Sequence, residues 1–173
     1  MTERHASHAV RIRAADRADV PLLHALIGEL AEYERLADHV VGTGEDLERH
    51  LFGERPAAEA VVAELDGRPV GFALYFMTFS TFLCRPGIWL EDLFVHPEHR
   101  RAGVGRELLR HVASVAVERG CGRLEWAALD WNQPALAFYA GLGARPLDDW
   151  IVHRLDGDEL RRLAASGGER ARA

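Results

Sequence analysis

Hydrophobic and polar positions along this chain follow two rhythms. Val10-Arg11-Ile12-Arg13 alternates with period two, the pattern of a half-buried strand. Leu23, Leu26, Ile27 and Leu30 then recur at i, i+3, i+4 and i+7, which makes one apolar helix face, with Asp16 or Asp19 placed to cap its start. Thr43, followed three residues later by Asp46, predicts a second, short helix through about Phe52. The apolar runs 60–65 and 70–79 are separated by Asp66-Gly67, a tight-turn pair, so they predict a β-hairpin. A mixed aromatic loop over 79–87 leads to a further strand at 88–95.

Residues 100–105 open a long helix to Arg119 with the apolar stripe Val104, Leu108, Leu109, Val112, Val115 and Ala116, and Gly120 can supply its left-handed stop. A strand is predicted at 123–129, a short helix from an Asn132 cap through Leu142 ended by Gly143, a last strand at 150–155 and a terminal helix at 157–166. No repeat or linker interrupts this order. It predicts one α/β domain over residues 9–166, with loose tails at 1–8 and 167–173. An antiparallel hairpin comes first and strand–helix–strand–helix–strand follows, so the sheet should be mixed with helices on both faces. The crossover between 88–95 and 123–129 is long enough to join parallel strands.

Composition narrows the possible partners. The 173 residues are 48% hydrophobic and 28% charged, the profile of a globular domain with a core. The start, Met1-Thr2-Glu3-Arg4-His5, has no apolar signal region and no apolar run is long enough to span a bilayer, so the expectation is a cytoplasmic protein with no membrane partner. A net charge of −6 disfavours nucleic acid. Cys84 and Cys121 lie far apart and His96 and His99 flank Pro97 in a loop, so no metal site is expected. The chain has no lysine; all 21 of its basic residues are arginine, which excludes Schiff-base chemistry and the lysine of a Walker loop.

The stretch from Trp89 to Gly105 carries the candidate chemistry. A strand runs into a loop holding Gly103 and Gly105 that becomes a helix start, where unpaired N–H groups and the positive dipole end can hold a phosphate. Arg100, Arg101 and Arg106 add positive charge. Leu108 stands where a dinucleotide fingerprint needs its third glycine. The glycines could also serve only a tight strand-to-helix turn.

Arg100-x-x-Gly103-x-Gly105, between an apolar strand and an amphipathic helix, resembles the coenzyme A signature of the GNAT superfamily of N-acetyltransferases. Trp131 to Tyr139 resembles that superfamily's second cofactor motif. Within it, Glu29 to Glu34, Val70 to Phe76 and Leu90 to Val95 are similar to the diamine (spermidine/spermine) and thialysine acetyltransferases. The resemblance implies direct transfer of acetyl from acetyl-CoA to a primary amine in a ternary complex, by a homodimer. The amine would be a diamine or a lysine-like amino acid.

An alkylammonium with a pKa near ~10.4 must lose a proton before it attacks. Glu91, mid-strand in an apolar run, is the candidate base, because burial should raise its pKa; an ion pair with an arginine is the alternative. Its neighbour Asp92 should point to the opposite face, so the two are not expected to act as a pair. The resemblance makes Tyr139 the acid beside the coenzyme sulfur, although its spacing from Leu136 also suits core packing. It assigns the cofactor to the backbone of Leu93, Phe94 and Val95, to Arg100, Arg101, Ala102, Gly103, Val104, Gly105 and Arg106, and to Asn132, Gln133, Pro134, Ala135 and Tyr139. It assigns the amine to Tyr33, Glu34, Glu91, Glu125, Trp126, Ala127 and Asp148 or Asp149. Alternatives are a family member acting on a protein N-terminus or an aminoglycoside, or a non-catalytic acetyl-CoA sensor.

Overall fold

A computed structural model describes residues 9–166, in two compact units, one ending at Leu129 and one beginning at Asp130. The tails expected at 1–8 and 167–173 lie outside the described residues. The first unit holds a five-stranded sheet in chain order: β1 (Val10–Ala14), β2 (Glu59–Leu65), β3 (Arg68–Ser80), β4 (Arg85–Val95) and β5 (Leu124–Trp126). The first three pairings are antiparallel and β4–β5 is parallel, so the sheet is mixed as the element order predicted. Asp66 and Gly67 turn the β2–β3 hairpin with φ of 52° and 76°, the twist that matches paired strands.

Helices cover both faces. Both candidate caps of the first helix are used. Asp16 accepts from the Ala18 amide and Asp19 reaches back to the Asp16 amide at 2.8 Å, closing a 3-10 turn that leads into α1 (Val20–Glu34). Arg13 forks onto the buried Asp19 at 2.6 and 2.7 Å, which compensates that carboxylate's burial and ties β1 to the helix start. The Thr43–Asp46 capping box starts α2 (Gly44–Phe52). Leu23, Leu26 and Leu51 pack with Ala60, Val62, Phe72, Leu74 and Phe94 on one sheet face. The strand residues of opposite parity, Val61, Ala63, Ala73 and Tyr75, are also buried and face α3 (Val104–Glu118), whose stripe Val104, Leu108, Leu109, Val112 and Ala116 is buried in turn.

Three strand expectations are corrected. The loop expected at 79–87 is mostly ladder, because Thr78 pairs with Gly87, Phe79 with Pro86 and Ser80 with Arg85. Its alternation was masked because the polar residues face in: Ser80 is buried while Met77 and Phe79 are exposed. The strand expected over 123–129 ends at Trp126, because β4 bends away from it one residue after Leu90. In the second unit, α4 (Gln133–Ala140) and α5 (Gly157–Ala165) form, and the Asn132 side chain caps α4 at the Ala135 amide, 3.3 Å away. No strand forms at 150–155: Trp150, Ile151 and Val152 are all exposed and stand in no ladder among the described residues.

Candidate functional site

The site is organised by an irregularity in β4. Leu74 pairs with Asp92 and Tyr75 with Leu90, so Glu91 is one residue too many for the ladder and forms a β-bulge. The bulge cancels the alternation that would have sent Glu91 and Asp92 to opposite faces. Trp89 lies across from Phe76 and Asp92 across from Leu74, so Trp89 and Asp92 share a face, the one that α1 covers. The Trp89 indole Nε1 donates to Glu91 Oε2 at 2.8 Å, which holds Glu91 on that same face. The two acidic side chains are therefore neighbours, contrary to the strict-alternation expectation. The only trace in the sequence is that two consecutive acids break an otherwise apolar strand.

Burial falls on the other member of the pair from the one expected. Glu91 is exposed, whereas the Asp92 carboxyl is pushed up to about 7, first by burial and then by the negative charges of Glu91 and Glu34. Glu34 itself is raised by burial. It is the last residue of α1, which Arg35 ends in a left-handed conformation (φ 63°), so its carboxylate stands at the helix end beside the β4 acids. Glu125 joins the same face through its register with Trp89 and is held by Arg123 Nε at 2.7 Å. Trp126 ends β5, and Ala127 lies just past it rather than on the strand expected there.

Next to these acids the sheet opens. The β4–β5 ladder covers only Ile88–Leu90 against Leu124–Trp126, so Leu93, Phe94 and Val95 are laddered to β3 alone. Apart from the Val95 carbonyl, which accepts from Arg100 Nε, their other backbone edge stands in no ladder among the described residues and can meet a ligand with amide groups. Further along, the 3-10 turn Pro97–His99 leads into Arg101 (φ 66°) and Gly103 (φ 86°). Gly103 caps α3 with no side-chain bond of its own, and a Cβ built on it would meet nothing within 4 Å. The first-turn amides of Val104, Gly105 and Arg106 have no intrahelical acceptor, so they face open space with Arg101 and Arg106 exposed beside them. That arrangement fits an anionic pyrophosphate.

Arg100 is placed differently from its neighbours. Its guanidinium lies 4.5 Å from the Tyr33 ring centre and its Nε donates to the Val95 carbonyl at 3.1 Å, so it engages α1 and β4. His96 Nδ1 lies 2.9 Å from Glu29 Oε2, an ion pair when protonated. In the second unit, Tyr139 is half-buried on α4 with its ring 5.2 Å from that of Phe138. Pro134 stands in the first turn of that helix, and Gln133 Nε2 donates to the Asp130 carbonyl at 3.0 Å. Asp148 and Asp149 lie in an irregular segment. Surface hollows along α5 and beside Pro56 to Glu59 contain none of the β4 acids.

The acetyltransferase (GNAT) family pattern matches residues 24–144. Over 166 residues the chain is 40% identical to the thialysine N-epsilon-acetyltransferase of Bos taurus, covering 90% of this chain and 97% of that one. It is 32% identical over 198 residues to the L-ornithine N5-acetyltransferase of Arabidopsis thaliana, covering 88% and 87%. An integron cassette protein from the mobile metagenome of V. cholerae superimposes with a TM-score of 0.75 at 29% identity, covering 90% and 97%.

Proposed function

The chain belongs to the acetyltransferase (GNAT) family, and from that premise we propose that it acetylates the terminal amine of a diamine or a lysine-like amino acid. That it is an amine N-acetyltransferase follows from the family and from the 40% identity with a thialysine acetyltransferase. The observation that carries the narrower reading is the collection of Glu91, Asp92 and Glu34 on one face beside the unpaired edge of β4. A cationic amine is drawn to such a face, and a substrate with a second positive charge gains a second charge-assisted contact, worth roughly 1.5–3 kcal/mol if desolvated. Thialysine and ornithine, the substrates in the relatives' names, are both amino acids with a terminal side-chain amine.

Acetyl-CoA, when bound, supplies the acyl group as an activated thioester. The first turn of α3, Gly103 and the side chains of Arg101 and Arg106 are the groups that would hold its pyrophosphate. The free edge of Leu93, Phe94 and Val95 would take the pantetheine amides and donate to the carbonyl oxygen as it gains charge. Tyr139 protonates the departing thiolate in this reading, with Asn132, Gln133, Pro134 and Ala135 beside the coenzyme. Tyr33, Glu125, Trp126, Ala127 and Asp149 complete the amine side. The single domain of 9–166, a homodimeric assembly and a cytoplasmic location belong to the same reading, the homodimer resting on the family resemblance. Among the described residues no helix is long and apolar enough to cross a membrane.

Coenzyme A release measured side by side on putrescine, thialysine, ornithine and butylamine tests the substrate class. A doubly functional amine should exceed butylamine by at least about tenfold in kcat/KM, and the margin should shrink in Glu34→Gln and with added salt. Equal values for butylamine would leave only the broader acetyltransferase activity.

A further inference from the structure

We propose that Asp92, and not Glu91, takes the proton from the substrate ammonium, while Glu91 holds the cation beside it. This rests on the acetyltransferase reading above and divides the labour within its acidic face.

The assignment follows from the bulge. Two carboxylates on one face at adjacent positions cannot be equivalent when one is exposed and the other sunk between the sheet and the end of α1. The exposed one, Glu91, is fixed by the Trp89 indole and stays well solvated. Such a group is placed to attract a cation. The sunken one, Asp92, is disfavoured as an anion by its burial, and its position between Glu91 and Glu34 favours the protonated state further. A carboxyl raised to about 7 is about half ionised at neutral pH and basic enough to accept a proton there, the match of pKa to working pH that general bases need.

The charged groups facing Asp92 from each neighbouring element agree with this. Glu91 lies on its own strand and Glu34 on α1. From β5 comes Glu125, paired with Arg123 just before that strand. Across β3 the facing residues are Leu74 and Phe76, which do not ionise. Arg100 also lies along this face, with its guanidinium spread over Tyr33 and Phe94. The local balance is acidic, so an arriving ammonium is the cation that completes it.

The protons balance as follows. R–NH3+ gives one proton to the Asp92 carboxylate. The freed nitrogen pair forms the C–N bond at the thioester carbon, and the C–S bond breaks with its electron pair on sulfur. The second nitrogen proton is shed as the amide forms and matches the one the thiolate takes up. Asp92 returns its proton to solvent. The sum is an ammonium and a thioester converted to an amide, a thiol and one released proton.

The test is the pH dependence of kcat and kcat/KM for the full-length wild type, Asp92→Asn, Asp92→Glu and Glu91→Gln, with acetyl-CoA affinity measured separately by calorimetry. Wild type should lose activity below about pH 7 along a single acid limb. Asp92→Asn should lose at least about 10²-fold in kcat with acetyl-CoA affinity retained, and Asp92→Glu should restore part of it. Glu91→Gln should raise the amine KM and move the acid limb to lower pH, because the charge that raises Asp92 is gone. Retained kcat in Asp92→Asn, or an acid limb that does not move in Glu91→Gln, overturns the assignment. Failure of the wild type to release coenzyme A with any amine would instead remove the functional reading itself, and this inference with it.

Discussion

Arg100 and Tyr33 are stacked, guanidinium over ring at 4.5 Å, so the residue that opens the glycine loop is seated on the last turn of the helix that ends at Glu34. A phosphate ligand needs only charge, whereas a brace of this kind needs the planar guanidinium. Arg100→Lys keeps the charge and loses the plane. It should therefore raise the KM for the amine as well as for acetyl-CoA, by about three- to tenfold, much as Tyr33→Leu does. A double-mutant cycle between the two positions should return a coupling of about 0.5–2 kcal/mol. Additive effects, or an amine KM untouched by Arg100→Lys, would return Arg100 to the phosphates.

The elevated Asp92 carboxyl implies a stability cost with a defined pH window. Its folded pKa lies above the ordinary carboxylate value, so the folded state binds the proton more tightly than the unfolded one. The cost is absent below about pH 4, grows between about 4 and 7, and is complete above that. Asp92→Asn should match wild type in thermal unfolding at pH 4 and exceed it at pH 8 by roughly 2–4 kcal/mol, or about 5–10 °C. Differential scanning fluorimetry across pH reads this directly. A constant difference between the two proteins would mean that the Asp92 carboxyl titrates normally.

Gly103 adopts φ 86°, so most substitutions there would add backbone strain to any electrostatic effect. Asn and Asp tolerate that conformation best and have the same shape. Comparing Gly103→Asp with Gly103→Asn therefore isolates charge. The Asp variant should show an acetyl-CoA KM at least about tenfold above the Asn variant, since a carboxylate would stand at the anion-binding helix start. Equal values would show that the phosphates bind elsewhere.

Tyr139→Phe removes a hydroxyl and keeps the ring against Phe138. A loss of about 10²-fold in kcat with little change in melting temperature is expected if the hydroxyl protonates the thiolate. An unchanged kcat would assign Tyr139 to packing within its own unit.

Much of the fold was legible because period, caps and turns agree locally. The Thr43–Asp46 box, the Asp66-Gly67 turn and the α3 stripe all formed where the residue pattern predicted them. What misled was context that no single-strand pattern carries. Thr78 and Ser80 face inward while Met77 and Phe79 face solvent, so a real strand read as a loop. Trp150 to Val152 have strand propensity but are exposed and stand in no ladder among the described residues. The acidic site was half visible: Glu91 drew attention as a charge in an apolar run, but its weight relative to Asp92 depends on a bulge. A bulge is a relation between two strands, and here only the Leu74 and Tyr75 pairings reveal it.

The extra residue in β4 also has a consequence at the level of the gene. Leu90 already pairs with Tyr75 and Asp92 with Leu74, so removing the one codon for Glu91 would leave every other pairing of β3 and β4 in register, with every other side chain facing as it does now. Such a deletion should give a folded protein whose β4 runs straight enough for β5 to continue alongside it past Leu90. Hydrogen exchange would detect this as new protection at Leu93, Phe94 and Val95. The closed seam would leave no edge for the pantetheine amides, so in this chain the difference between a complete sheet and a transferase would come down to three nucleotides.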